Sequence, residues 1–175
     1  MMSRPAVTEF APYYVRYIAM VPEDDILSVL KAQVVDISNA AAAVTSGREK
    51  FRYDTGKWSI REVFGHLIDG ERVFGYRAFC ISRGEQAPLP SFDENSYIRE
   101  STYDACPLND LVAELVLLRN ANTAFLSRLT DANWLRFGTA SNKPVTVRAL
   151  AFIMAGHMRH HLEILRTRYG VAPGS

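Results

Sequence analysis

The stretch Thr146–Gly170, TVRALAFIMAGHMRHHLEILRTRYG, reads as one long amphipathic helix, and its reading decides the fold. Val147, Leu150, Met154, Met158 and Leu165 recur at steps of three and four, the spacing that lines apolar groups along one helical face. The gap in that stripe is filled by His161. Thr146 suits the N-cap, where its hydroxyl can accept a free backbone N–H, and Tyr169-Gly170 suits the stop.

Working outward, three further segments share this pattern. One runs from about Glu23 to Val44, with Ile26, Leu30, Val34, Ile37, Ala41 and Val44 on one face. Pro22 suits its first turn and Gly47 its end. A second begins at Ser59, where Ser59 and Glu62 form an S-x-x-E capping box and Trp58 can staple onto Val63. Its stripe is Ile60, Val63, Phe64, Leu67, Phe74, Ala78 and Ile81, ending at Arg83-Gly84. A third opens at Pro107, and its seam is Leu108, Leu111, Leu115, Leu118, Asn122, Phe125 and Leu129. Four helices of about 22 to 25 residues, each roughly 33 to 37 Å long, imply an all-α four-helix bundle.

The connections are longer than the two to eight or so residues usual in bundles. Arg83 to Cys106 carries Pro88, Pro90, Phe92, Tyr97 and Tyr103 and is expected to order over one end of the bundle. Asp131 to Val145 has room for a small hairpin around Ser141-Asn142. Such loops build sites or act as clamps, and the sequence leaves both open.

The chain has 175 residues, which fits a single domain spanning 1–175 with a full core. Twenty basic against nineteen acidic side chains leave a net charge of +1, so no global field points to nucleic acid or anionic lipid. Cys80 and Cys106 are too few for a disulfide framework. The N-terminal stretch carries charges and prolines where a signal peptide needs an apolar core. The longest apolar run, Ala149 to Gly156, is shorter than the ~20 residues a membrane span needs. These features predict a soluble, reduced, cytoplasmic protein.

The four histidines carry the chemistry: His66, His157, His160 and His161. His157 and His161 lie four apart, about 40° around the helix and about 6 Å along it, so both imidazoles can reach one ion. His66 sits at the edge of the second segment's stripe, one turn before Gly70, a residue that leaves room beside the ring. Two histidines on one helix and one on another would give three nitrogens and an open coordination position for water or substrate. Histidines four apart also occur as plain surface pairs, so spacing alone leaves the choice open. His160 points about 60° from His157 and is expected to face solvent or a neighbouring helix.

The stretches GKWSIREVFGHLIDGERVFGYRAF, PLPSFDENSY and LAFIMAGHMRHHLEILRTRY resemble the DinB/YfiT-like superfamily of metalloenzymes, over nearly the whole chain from FAPYYVRYIAMVPEDDIL onward. The resemblance implies a four-helix bundle, often dimeric, with a three-histidine site for a divalent metal such as nickel or zinc, and three imidazoles leave iron, cobalt and manganese open as well. The family's ligands correspond to His66 in GHLID and to His157 and His161 in GHMRHH. It also implies group transfer with a low-molecular-weight thiol, or hydrolysis, on a small electrophilic molecule. A metal-binding stress-response module without turnover and a metal-free dimeric scaffold are the competing readings.

Several other residues have two readings each. Asp69 and Glu71 could orient a ligand imidazole or pair with Arg72, Arg77 or Arg119. Arg77 could meet an acidic substrate group or reach to the surface. Asn122 could face a polar cavity or set the register of the core. Cys106, just before Pro107, is assigned no role. No Gly-rich phosphate loop or nucleophile elbow is present.

Overall fold

The computed structural model describes residues 3–171. After 3-10 turns at Val7–Glu9 and Pro12–Tyr14, the chain forms α1 (Val15–Ala19), α2 (Ile26–Ala42), α3 (Ile60–Ser82), α4 (Glu94–Glu100), α5 (Leu108–Leu126) and α6 (Asp131–Trp134). The strands β1 (Phe137–Ala140) and β2 (Lys143–Thr146) follow, and α7 (Val147–Arg168) closes the chain.

The four expected helices are α2, α3, α5 and α7, and they form a bundle. Helix α3 packs against α5 and α7, and α2 packs against the same two. Consecutive helices α2 and α3 therefore sit across the diagonal, as do α5 and α7. Crossing a diagonal takes more chain than joining neighbours, which accounts for the long α2–α3 and α5–α7 connections; the Arg83–Cys106 connection joins the neighbours α3 and α5 and is long because it carries α4.

Local signals behave as their chemistry requires. The Ser59 side chain accepts the Glu62 N–H while Glu62 reaches back to the Ser59 N–H, a complete capping box. The Thr146 side chain accepts from the Ala149 N–H. Helix α2 starts three residues later than the apolar pattern suggests, because Asp25 caps it by accepting from the Ser28 N–H. The expected hairpin is present, with Phe137 opposite Thr146 and Ala140 opposite Lys143. Its turn residues Ser141 and Asn142 both have positive φ, 52° and 59°, the pattern of a tight type I′ connection. The Arg83–Cys106 connection is ordered, as expected, and contains α4.

The seam expected on α5 is corrected by the structure. Leu108, Leu111 and Leu115 are buried as the pattern requires, but the stripe continues through Arg119, Thr123 and Leu126. Leu118, Asn122, Phe125 and Leu129 are only half-buried. A polar group causes this rotation: Arg119, 0% exposed, donates to Glu71 on α3 from Nε and Nη2 at 3.1 and 2.5 Å and to Gln33 on α2 from Nη1. Gln33 Nε2 donates to the Ala155 carbonyl of α7 at 2.8 Å, so one buried network ties all four helices together. Asn122 Nδ2 donates to the Glu71 carbonyl and carboxylate at 3.1 and 3.0 Å; it is a register-setting residue of this network.

The N-terminal half of α7 is buried on every side, from Ala149 through His157. The element that covers it is α1, for which the apolar periodicity gave no signal. Its backbone comes so close that a Cβ at Gly156 would stand 2.0 Å from the Tyr17 carbonyl oxygen, so only glycine fits there. Among the described residues, no helix is long and apolar enough to cross a membrane.

Candidate metal centre

Facing positions on α3 and α7 bring three of the four histidines together. His66 from α3 and His157 and His161 from α7 form a triangle with ring centroids 4.8, 4.6 and 4.6 Å apart. Each offers one ring nitrogen within 4.8 Å of the others. The rings are 5%, 6% and 8% exposed, so the cluster lies inside the bundle with one face open. The space expected beside His66 at Gly70 is taken by another ligand candidate: a Cβ on Gly70 would stand 2.9 Å from His157 Cε1.

The rings are not engaged elsewhere. His66 Nε2 and His157 Nε2 face each other at 2.9 Å, and among the described residues no carboxylate or carbonyl bonds any of the three. His66 Nδ1 is buried without a hydrogen-bond partner. Trp58 packs on that ring instead, centroid to centroid at 4.7 Å, and Phe74 and Tyr17 stand edge-on to His157, each at 5.5 Å. Burial, and secondarily the charge of His160, lowers the His66 pKa to about 4. Burial and then the neighbouring histidines push His157 and His161 well below the usual imidazole range. All three are therefore neutral at pH 7, with lone pairs available.

This donor set fits a divalent transition metal. Imidazole nitrogens bind such ions at ~2.0–2.1 Å and stand roughly 3 Å apart around one centre, which is already the His66–His157 separation. Three neutral nitrogens and no thiolate accept several first-row ions, among which availability decides. One feature departs from common practice: a ligand histidine usually passes its other N–H to a carboxylate or carbonyl, and His66 has an aromatic wall there.

A cavity of about 320 Å³ opens over the triangle. Sequence reasoning missed most of its walls. Tyr13, Tyr14, Arg16 and Tyr17 come from α1 and the turn before it, Phe92 comes from the segment before α4, and Glu94 opens α4. Those four residues span a single helical turn, too short a run for their spacing to register as a period. His160 also lines this cavity, half-buried, with its ring 5.4 Å from Tyr17, and does not face open solvent.

Of the remaining candidates, Glu71 takes the ion pair expected as its alternative, whereas Asp69 and Arg77 take neither of theirs. Glu71 pairs with Arg119. Arg72 pairs with Glu114. Asp69 accepts the Tyr103 hydroxyl at 2.7 Å, and burial raises its pKa despite that bond. Arg77 is buried and does not reach the surface: Nη2 donates to the Pro90 carbonyl and to Ser141 Oγ at 2.6 and 3.0 Å. Cys106 Sγ donates to the Thr102 carbonyl at 3.4 Å, and the side chain packs at the edge of the core.

Comparison with known proteins agrees with this architecture. The family model of the DinB superfamily matches residues 35–165. YfiT of Bacillus subtilis, described as a probable metal-dependent hydrolase with an unusual four-helix bundle topology, is 24% identical over 143 residues, covering 80% of each chain. Its solved structure superposes with a TM-score of 0.75 at 20% identity, over 98% of this chain and 95% of that one.

Proposed function

Because the chain belongs to the DinB superfamily, we propose that His66, His157 and His161 hold a divalent transition metal and that the protein uses it to hydrolyse a small electrophilic molecule. The observation that carries this reading is the triangle of three buried, neutral imidazoles, free of carboxylate and carbonyl partners and opening onto a cavity. The description of its relative as a metal-dependent hydrolase favours hydrolysis. Thiol-dependent group transfer is the second reading of the same site, because the family the chain resembles includes thiol-using enzymes as well as hydrolases.

The chain's own residues set the conditions. The histidines supply neutral nitrogen donors because burial disfavours their protonation. Trp58 and Phe74 pack against two of the rings and keep water from their backs. Burial raises the pKa of Tyr17, so its hydroxyl stays protonated beside the His157 ring. A divalent metal bound here supplies Lewis-acid chemistry, polarising an oxygen of the substrate and acidifying water or a thiol so that a nucleophile exists at neutral pH. No protein nucleophile is required. A homodimer in the cytoplasm is part of the same proposal.

Elemental analysis of untagged protein tests it first. Wild type is expected to carry about one equivalent of a first-row metal, and His157→Ala to lose it. Less than about a third of an equivalent, unchanged in His157→Ala, leaves a metal-free scaffold. Metal-loaded protein is then assayed for ester hydrolysis and for thiol conjugation of a chloro-nitroaromatic. Turnover that disappears with a chelator supports the enzyme, whereas a bound metal with silence in both assays supports a binding module.

A further inference from the structure

The charges around the cavity do not cancel within the protein. Arg16 has no carboxylate within ion-pair distance among the described residues, and neither has Arg77, which is 3% exposed. Arg77 stands directly behind the cavity wall: it donates to Ser141 Oγ at 3.0 Å, and its guanidinium lies 5.9 Å from the Phe92 ring centre, both wall residues. Glu94 is the one carboxylate in the wall. Two unpaired guanidinium groups against one carboxylate leave the cavity short of negative charge, and a divalent metal deepens that deficit.

Arg16 is also held ready to bind. Its Nη2 donates to the Tyr13 and Tyr17 hydroxyls at 2.6 and 2.9 Å, and its guanidinium carbon lies 4.5 and 4.7 Å from the centres of those two rings. This stacking fixes the plane of the guanidinium and leaves Nη1 and Nε without a protein acceptor, each free to donate a charge-assisted hydrogen bond to an anionic group. The Tyr17 ring that holds Arg16 is the same ring that stands edge-on to His157 at 5.5 Å. Arg16 and the histidine triangle therefore flank the same aromatic ring in the wall of one cavity, and Tyr14, Phe92 and Trp58 line it with further aromatic surface.

We infer that the cavity takes a small aromatic or otherwise planar carboxylate, with its anionic group on Arg16 and its reacting group toward His66, His157 and His161. Arg16 is the specificity-determining residue. The inference deepens the metal-dependent reading and rests on it for the reacting end alone.

The test uses the full chain, zinc-loaded and chelator-treated, and measures binding of benzoate and of its uncharged isostere benzamide by calorimetry. Arg16 is exposed, so Arg16→Gln leaves the core untouched, and metal content is measured on every sample. A charge-assisted pair predicts that wild type binds benzoate about tenfold or more tightly than benzamide. Arg16→Gln is expected to remove that preference while leaving benzamide binding and metal content unchanged, with Arg16→Lys restoring part of it. Benzoate binding equal in wild type and Arg16→Gln, or a wild type indifferent between the two probes, overturns the inference while leaving the metal proposal standing. An Arg16-dependent preference in protein that binds no zinc supports the inference and sinks the metal proposal instead.

Discussion

Replacing Arg119 by methionine should cost this bundle more than any surface change, and the structure sets the size of the loss. Arg119 is wholly buried, and its three donor groups go to Glu71 and Gln33. Methionine fills much of the volume but donates nothing. Glu71, 3% exposed, would keep only the Asn122 amide as a partner for its carboxylate, and Gln33 Oε1 would face a sulfur. Leaving one member of a buried ion pair uncompensated typically costs about 3–5 kcal/mol. For a chain of this length each kcal/mol moves Tm by roughly 2–4 °C, so Arg119→Met should melt on the order of 10 °C lower. Urea denaturation followed by circular dichroism, in chelator to exclude stabilisation by bound metal, measures it. Adding Glu71→Met to the same chain should recover most of the loss, because the apolar double variant strands no charge. A loss below about 1 kcal/mol for Arg119→Met, or strictly additive effects in the double variant, would refute the view that this network is coupled across the bundle.

Three other perturbations test separate links. Glu9 is 6% exposed and accepts from Thr146, Ala6 and Arg148; burial alone would raise its pKa, but those hydrogen bonds, that from Arg148 foremost, bring it below the usual carboxylate value of 4.5. The unfolded chain therefore binds the extra proton as pH falls from about 4.5, and stability is lost in that window; Glu9→Gln should flatten the difference between unfolding free energies at pH 5 and pH 3. Gly156→Ala sets a methyl against the Tyr17 backbone, which cannot rotate away, and should cost about 1–3 kcal/mol and weaken benzoate binding as α1 shifts. Ser59→Ala removes both the cap of α3 and the 2.6 Å bond to Asp104, and should lower unfolding free energy by about 1–2 kcal/mol with no change in metal content.

Periodicity gave the four long helices because each buries a stripe wide enough to dominate its local sequence. It failed on α5 at the point where a charged residue enters the core: Arg119 looks like a surface residue until Glu71, 48 positions earlier, and Gln33, 86 positions earlier, are known to meet it. The histidine triangle was half legible. The spacing of His157 and His161 follows from one helix, whereas the approach of His66 depends on α3 packing beside α7, which no local signal encodes. The walls were the least legible part. Helix α1 is five residues long, too short to show a period, and it is held in place by a glycine on another helix and by Glu9 bonding to the first turn of α7.

The fold itself has no need of the three histidines. Apolar side chains at His66, His157 and His161 would fill the same space without burying polar nitrogens, one of which has no partner at all, and burying an unbonded polar group is unfavourable. The neighbouring polar residues behave differently: Gln33, Glu71, Arg119 and Asn122 satisfy one another and hold the helices in register. Two polar clusters thus share one bundle. The first stabilises it by being closed, and the second destabilises it by being open, with its lone pairs gathered at the floor of a cavity. A sequence retains such a locally unfavourable arrangement where function requires it, and the chemistry left exposed at that floor is the chemistry of a metal ligand set.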